Sequence, residues 1–542
     1  MHGVKRSRVP PVPDSAEVER KKRDKQQEMI KEYTGLVNEL QAKINAKDYS
    51  NETLQLTTRV LGLNPEFHTG WSMRRRTLLQ GLLSRTESTQ EKQEILERDL
   101  DLTNRSLKLN PKNYSVWEHR KWVLETMPDA DWTLEIKMVE MYLEKDGRNF
   151  HSWDYRRYLI TSITSLYDSP ERLSIRTKPL PPRPTTESEL LFTTRKISSN
   201  FSNFSAWHYR TKLLVKLWTL SSTSETTPEE ESGKKKSRKE EVLEKEFELV
   251  QQAIWSDPND QSAWLYHRWL IGNCTAEEEG KVELGVLRRE IGGIEELLEE
   301  EPDSRWCLDS LVHYKRLLVK LLDETNKETR EERESLNLEC KGMLERLVEI
   351  DPMRANRYRD LELSNLITSL SREHSTPSFH PHVTLLTKLP RTPSLIPSIK
   401  SVLSTWKTTQ QASSPFILEF EGLGSKAAES NYFQYLFAKI NLSESLASLR
   451  RTVREGLLEE EKRMGEDDFF PHLSLMYGVD SEEERRVAKE IIEGLERSGK
   501  AGKGAGGNYG VEGIQEFRVG EVWCVRCEGK VEEWEVLEKI KL

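Results

Sequence analysis

The stretch 110–122, NPKNYSVWEHRKW, decides the fold of the first two thirds of the chain, because it recurs. NPEFHTGWSMRRR starts at Asn64, DGRNFHSWDYRRY at Asp146, NFSNFSAWHYRTK at Asn200 and DPNDQSAWLYHRW at Asp257. In all five an Asn or Asp stands seven residues before a Trp, a distance of two helical turns. Asn and Asp are good N-cap acceptors, and Pro is tolerated in the first helical position because its missing N–H would be unpaired there. Each phrase is therefore expected to open a helix at its Asn or Asp. Upstream lie amphipathic stretches such as QEILERDLDLTNRSLKL (93–109) and LEKEFELVQQAIW (243–255), apolar at i, i+3, i+4 and i+7. The predicted unit is a helical hairpin. Each Trp reads as packing between helices, and each Arg that follows it as a helix-surface ion-pair partner.

The Trp spacings are 46 (71 to 117), 36 (117 to 153), 54 (153 to 207) and 57 (207 to 264), irregular for a simple array. Two insertions explain the long ones: the Pro-rich YDSPERLSIRTKPLPPRPTTESE (167–189) and the polar SSTSETTPEEESGKKKSRKEE (221–241). Both lack the apolar residues that would offset the entropy of ordering them, so both are expected to be mobile. Degenerate sixth and seventh units follow at EEPDSRWCLDSLVHYKRLL (300–318) and DPMRANRYRDL (351–361). Stacked hairpins predict an α-superhelix, which serves equally as a binding scaffold or as half of an enzyme.

At 542 residues the chain is expected to hold two to four domains. With 36% hydrophobic and 32% charged residues, it reads as globular. No apolar run approaches the roughly 20 residues of a spanning helix, and MHGVKRSRVPPVPDSAEVERKKRDKQQ has no signal-peptide core, so the cytosol is the expected compartment and no membrane span is expected. A net charge of −9 over 173 charged residues argues against nucleic acid as the main partner, and the basic cluster GKKKSRKEE (233–241) reads as a solvated loop. Five Cys without a secretion signal read as reduced thiols. Cys524 and Cys527 form a lone C-x-x-C, but on an alternating strand i and i+3 face opposite sides, which disfavours a metal or redox pair.

The five phrases in order resemble the prenyltransferase α-subunit repeat, and with the opening MHGVKR they are more similar to the α subunits of Rab geranylgeranyltransferases than to those of other protein prenyltransferases. The resemblance spans about residues 1–362. It implies a β-subunit partner carrying the zinc and the isoprenoid pocket, with no cofactor in this chain. It also implies geranylgeranyl diphosphate at the subunit interface, and a Rab GTPase presented by a Rab escort protein as substrate. Residues 1–362 hold no His/Cys/Asp cluster of zinc-ligand type, consistent with that division. Cations and hydrogen-bond donors that meet the departing diphosphate lower the barrier to prenyl transfer. By motif position the resemblance assigns this role to Lys112 and Tyr114 in PKNYSVW and to Asn149 and His151 in RNFHSW; Phe150 stands where some relatives carry Tyr. His2, near the start, is read as part of a disordered terminus rather than a metal ligand.

The last third is different. PSFHPHVTLLTKLP (377–390) is echoed by DDFFPHLSLMYG (467–478), each with an aromatic residue, Pro, His, one apolar residue and a hydroxyl. On extended strands His382 and Thr384 share one face, as do His472 and Ser474, with Val383, Leu385, Leu473 and Leu475 opposite. Two imidazoles flanked by two hydroxyls suit transfer at a cyclic phosphodiester without a metal. One neutral His takes a proton from water, the other, charged, gives one to the leaving oxygen, and the hydroxyls donate to phosphate oxygens. Either His fits either role. Together with LITSLSREHSTPSFHPHVTLLT, NYFQYLFAKI and the terminal VWCVRCEGKVEEWEVLEKIKL, these residues resemble the two-histidine phosphoesterase superfamily, in its cyclic phosphodiesterase branch, over about 363–542. The expected fold is a helical-hairpin superhelix (1–362) followed by a small α+β domain (363–542) that opens a nucleoside 2',3'-cyclic phosphate or an ADP-ribose cyclic phosphate. That family begins with an apolar strand, whereas here DPMRANRYRDLELS (351–364) occupies the place. Either repeat residues substitute, or the fold is impaired, or two neighbouring reading frames are joined. A non-catalytic scaffold followed by a degenerate phosphodiesterase fragment is the competing reading.

Overall fold

A computed structural model describes the chain apart from residues 1–15, 224–237, 275–282, 323–326, 388, 390–391, 410–415, 427–433, 459–468, 479–481 and 505–506. His2 and most of 221–241, including the lysine run of the basic cluster, lie outside the described residues. The chain divides into two compact units, residues 1–270 and 271–542.

The first unit is a run of helical hairpins, and the repeated phrase is the corner inside each one. The phrase-opening Asn or Asp does not begin the second helix, as the sequence suggested; it ends the first. Asn64, Asn110, Asp146 and Asn200 are the C-terminal caps of Asn51–Leu63, Thr89–Leu109, Trp132–Lys145 and Thr186–Ser199. Their side-chain oxygens accept from the backbone N–H two residues on, closing an Asx turn at Glu66, Lys112, Arg148 and Ser202. The N-cap comes three residues later, at Asn113 before Tyr114–Thr126 and at Asn149 before Phe150–Tyr167. Each Trp then reaches back across the turn, its Nε1–H donating to a carbonyl six residues earlier: Trp71 to Pro65, Trp117 to Pro111, Trp153 to Gly147, Trp207 to Phe201 and Trp264 to Pro258, at 2.7–2.9 Å. The seven-residue spacing is thus the length of one Asx turn, one cap and one indole tether.

The arginines three places after Trp are not on the surface. Arg74, Arg120, Arg156 and Arg210 are buried, and each pairs with a buried carboxylate on the first helix of the next hairpin: Asp99, Glu135, Glu189 and Glu246. The same carboxylates receive His119 Nε2–H and the hydroxyls of Tyr155, Tyr209 and Tyr266 from the second helix of that next hairpin. The remaining guanidinium donors of Arg120 go to Thr103, Asn104 and the Leu100 carbonyl. A charge in the apolar interior persists only when its donors are met, and here that requires two consecutive hairpins.

The insertion 167–189, expected to be mobile, is tied down instead. Asp129 Oδ2 accepts from the Thr177 and Lys178 backbone N–H groups and from the Thr177 hydroxyl, Arg176 pairs with the other oxygen, and Tyr167 donates to the Pro181 carbonyl. Polar anchoring to one carboxylate replaces the apolar contacts that the composition lacks.

In the second unit, helices Leu284–Glu300, Arg305–Leu321, Lys327–Ile350 and Ala355–Glu373 precede strands β1 (Ile417–Gly424), β2 (Leu436–Ile440), β3 (His472–Met476), β4 (Ala501–Lys503), β5 (Tyr509–Val511), β6 (Glu516–Arg518), β7 (Glu521–Arg526) and β8 (Glu535–Lys541). The main sheet is antiparallel, ordered β3-β2-β1-β6, with separate hairpins β4-β5 and β7-β8. The boundary expected at 362/363 falls inside this unit, within one helix. Ala355–Glu373 packs Tyr358 against Leu308, Leu344 and Leu347, and its Leu363, Leu366, Ile367 and Leu370 against Leu473 and Leu475 of β3. Residues 351–364, where the phosphoesterase family has an apolar strand, form a short 3-10 turn and the start of this helix, and the helix covers one face of the sheet.

Candidate two-histidine site and prenyl-transfer corner

His472 and Ser474 lie on β3, as expected. His382 and Thr384 lie not on a full strand but on an extended segment with a single bridge, Val383 to Leu473, antiparallel. That one bridge fixes the register: His382 falls opposite Ser474 and Thr384 opposite His472, all four on the face away from Val383 and Leu473. Diagonal neighbours in such a pair stand about 7–8 Å apart, and His382 is near enough for its charge to act on His472. On the far side β2 places Phe437 opposite Ser474 and Lys439 opposite His472. Beyond them Gly424 of β1 sits where a Cβ would collide with the Phe437 ring and the Lys439 stem.

The two histidines are oriented identically. His382 Nδ1 is 2.7 Å from the His380 carbonyl and His472 Nδ1 is 2.8 Å from the Phe470 carbonyl. A carbonyl only accepts, so each Nδ1 carries the proton and each Nε2 is the nitrogen left to take one up. The Tyr477 hydroxyl lies 3.3 Å from His382 Nε2, its ring stacked on Phe379. Burial pushes both imidazoles below their ordinary value, and for His472 the charges of His382 and Lys426 add to the effect. Thr384 is exposed, whereas His472 and Ser474 are buried. Sequence reasoning missed Lys439, Lys426 and Tyr477. The alternation in YLFAKI (435–440) could have put Phe437 and Lys439 on one face, but only pairing with β3 puts that face beside His472.

At the corner that the resemblance assigns to the diphosphate, three of the four expected residues gather. Lys112 Nζ is 3.0 Å from Asp146, the Tyr114 and His151 rings meet edge to face at 5.8 Å, and Tyr114 is exposed. Burial lowers the pKa of His151, the charges of Lys112 and Lys121 lower it further, and Asp154 opposes them. The fourth, Asn149, does not face outward: it is 2% exposed, its Oδ1 caps the N–H groups of His151 and Ser152, and its Nδ2 donates to the Pro111 carbonyl. It builds the corner from within.

Residues 96–127, 132–163, 186–217 and 243–274 match the model of the protein prenyltransferase alpha subunit repeat. The geranylgeranyl transferase type-2 subunit alpha of Schizosaccharomyces pombe is 37% identical over 374 residues, covering 67% of this chain and 98% of its own. The chain belongs to that family. The type-2 alpha subunit of Candida albicans is 30% identical over 380 residues, covering 66% of this chain and 96% of its own, and the human one 37% over 278 residues, covering 51% and 43%. Beyond the type-2 alpha likeness, residues 350–542 match the model of a cyclic phosphodiesterase-like protein, starting just ahead of the helix that covers the sheet. Among the described residues no grouping of three His, Cys, Asp or Glu side chains is placed to hold a metal ion, and no helix is long and apolar enough to cross a membrane.

Proposed function

We propose that the hairpin array is the α subunit of a Rab geranylgeranyltransferase, joined to a β subunit that holds the zinc and the geranylgeranyl diphosphate and acting on a Rab GTPase brought by its escort protein. The corner carries this reading. Lys112, Tyr114 and His151 form a donor cluster in which Lys112 and Tyr114 are exposed and His151 is half-buried, and Tyr114, Phe150 and Phe204 present exposed rings to a partner. As the diphosphate departs, the Lys112 ammonium and the Tyr114 hydroxyl stabilise the developing charge. Co-expression with a cognate β subunit tests this. A stable heterodimer that transfers geranylgeranyl to an escorted Rab is expected; no complex, or a complex without transfer, overturns it. Lys112→Ala is expected to lower turnover by about 10²-fold with the heterodimer intact, and loss of assembly would mean Lys112 is structural.

For residues 350–542 the proposed reaction is metal-independent opening of a cyclic phosphate. One Nε2 takes a proton from water as its oxygen attacks phosphorus. The bond from phosphorus to one ring oxygen breaks, and the other Nε2–H protonates that oxygen, leaving a monoester. The matched tautomers on one face support it, Thr384 and Ser474 donate to phosphate oxygens, and Lys426 supplies a positive charge felt at His472. Hydrolysis of a nucleoside 2',3'-cyclic phosphate or an ADP-ribose cyclic phosphate by the full chain tests it, and absence of turnover with both would leave a degenerate fragment.

A further inference from the structure

The second unit contains a cavity of about 730 Å³ lined by none of the residues of the two-histidine face. Its wall is acidic. Helix Lys327–Ile350 contributes Glu345 and Glu349, helix Ala355–Glu373 contributes Glu362, and β1 contributes Glu419 and Glu421. Glu512 and Glu516 complete seven glutamates, against only Arg359 and Lys503 among the lining cations. Lys341 pairs with Glu512 at 2.7 Å. Two observations go beyond a solvated acidic surface. Glu362 is 6% exposed and its Oε1 has no hydrogen-bond partner. In addition, the β1–β6 register sets Glu419 directly opposite Glu516, an exposed like-charge pair that a cation between them would relieve.

We infer that this cavity is a binding site for a linear organic polycation of the polyamine class. The carboxylates come from two helices and three stretches of sheet and loop, and none of their groupings is placed to hold a metal ion, so charge spaced along a chain fits where a point charge does not. Val348, Phe420, Tyr509 and Ile514 supply apolar wall for the methylenes between amines, and the volume lies within the range of small-molecule sites. Glu362 is pushed up to about 7, first by burial and then by Glu345 and Glu512, with Lys341 and Arg359 pulling the other way. An ammonium beside it favours the carboxylate, so binding near neutral pH should release protons.

Titration calorimetry of the full chain with spermidine, in two buffers of different ionisation heat at pH 7, tests this. One saturable site with proton release is expected. Glu362→Gln should weaken binding at least about tenfold and abolish the release, and Glu349→Lys, at an exposed position on the wall, should weaken binding comparably without touching the interior. No saturable heat at millimolar spermidine, equal affinity for magnesium at matched ionic strength, or unchanged affinity and proton release in Glu362→Gln would each overturn the assignment.

Discussion

At His382 and His472 the Nδ1–H is committed to a carbonyl two residues back, so each ring is left with the same nitrogen for the proposed chemistry, and only the protonation state would separate acid from base. Burial holds both pKa values below the ordinary histidine value of about 6.5. The alkaline limb of the rate falls as the acid loses its proton and the acidic limb as the base gains one. With both values lowered, kcat/KM should be bell-shaped with an optimum on the acidic side of about 6.5, declining toward pH 8. His382→Ala or His472→Ala should each cost about 10² to 10⁴ in rate; a profile rising through pH 8 would contradict the assignment. The His-x-hydroxyl alternation was legible because it is local. Lys439 and Tyr477 were not, because their place depends on which strand pairs with which, and register is a tertiary property.

At the scale of the element, the Trp positions could be read from spacing, while the caps were assigned to the wrong helix. Asn110 and Asn113 both satisfy N-cap propensity, and what separates them is the Trp117 indole that closes the turn between them. The arginines were misread for a related reason. Arg120 meets its carboxylate 15 residues on and Arg156 33 residues on, at the far end of the 167–189 insertion, and no fixed spacing reveals such a pair. Arg120→Met leaves Glu135 buried with only the Tyr155 hydroxyl, and should cost about 3–5 kcal/mol, read as a lower urea midpoint of the first unfolding transition. Replacing both partners, Arg120→Met with Glu135→Leu, should recover most of that loss; no recovery would mean the pair contributes more than the charge it hides.

At the scale of the whole molecule, the sequence placed a boundary at 362 because helix Ala355–Glu373 reads as the end of the last repeat. It serves that role through Tyr358 and also closes the sheet through Leu363, Leu366, Ile367 and Leu370, two loyalties that one amphipathic pattern cannot distinguish. A fragment starting at 363 loses the first two turns of this helix and the Lys341–Glu512 pair, whereas one starting at 271 keeps both. Residues 271–542 should therefore fold cooperatively and 363–542 should be markedly less stable or insoluble, by thermal unfolding monitored through circular dichroism; equal stability would show that the helix is dispensable. The forward-reaching arginines bear on heredity as well. Every hairpin from the second to the fourth takes in one guanidinium from its predecessor and hands one to its successor, through chemically equivalent acids. Recombination that excises a whole period would join an arginine to an equivalent acid, whereas a breakpoint inside a period strands a buried cation. Over generations this stretch of gene can lengthen its loops almost freely, yet change its number of units only in whole steps.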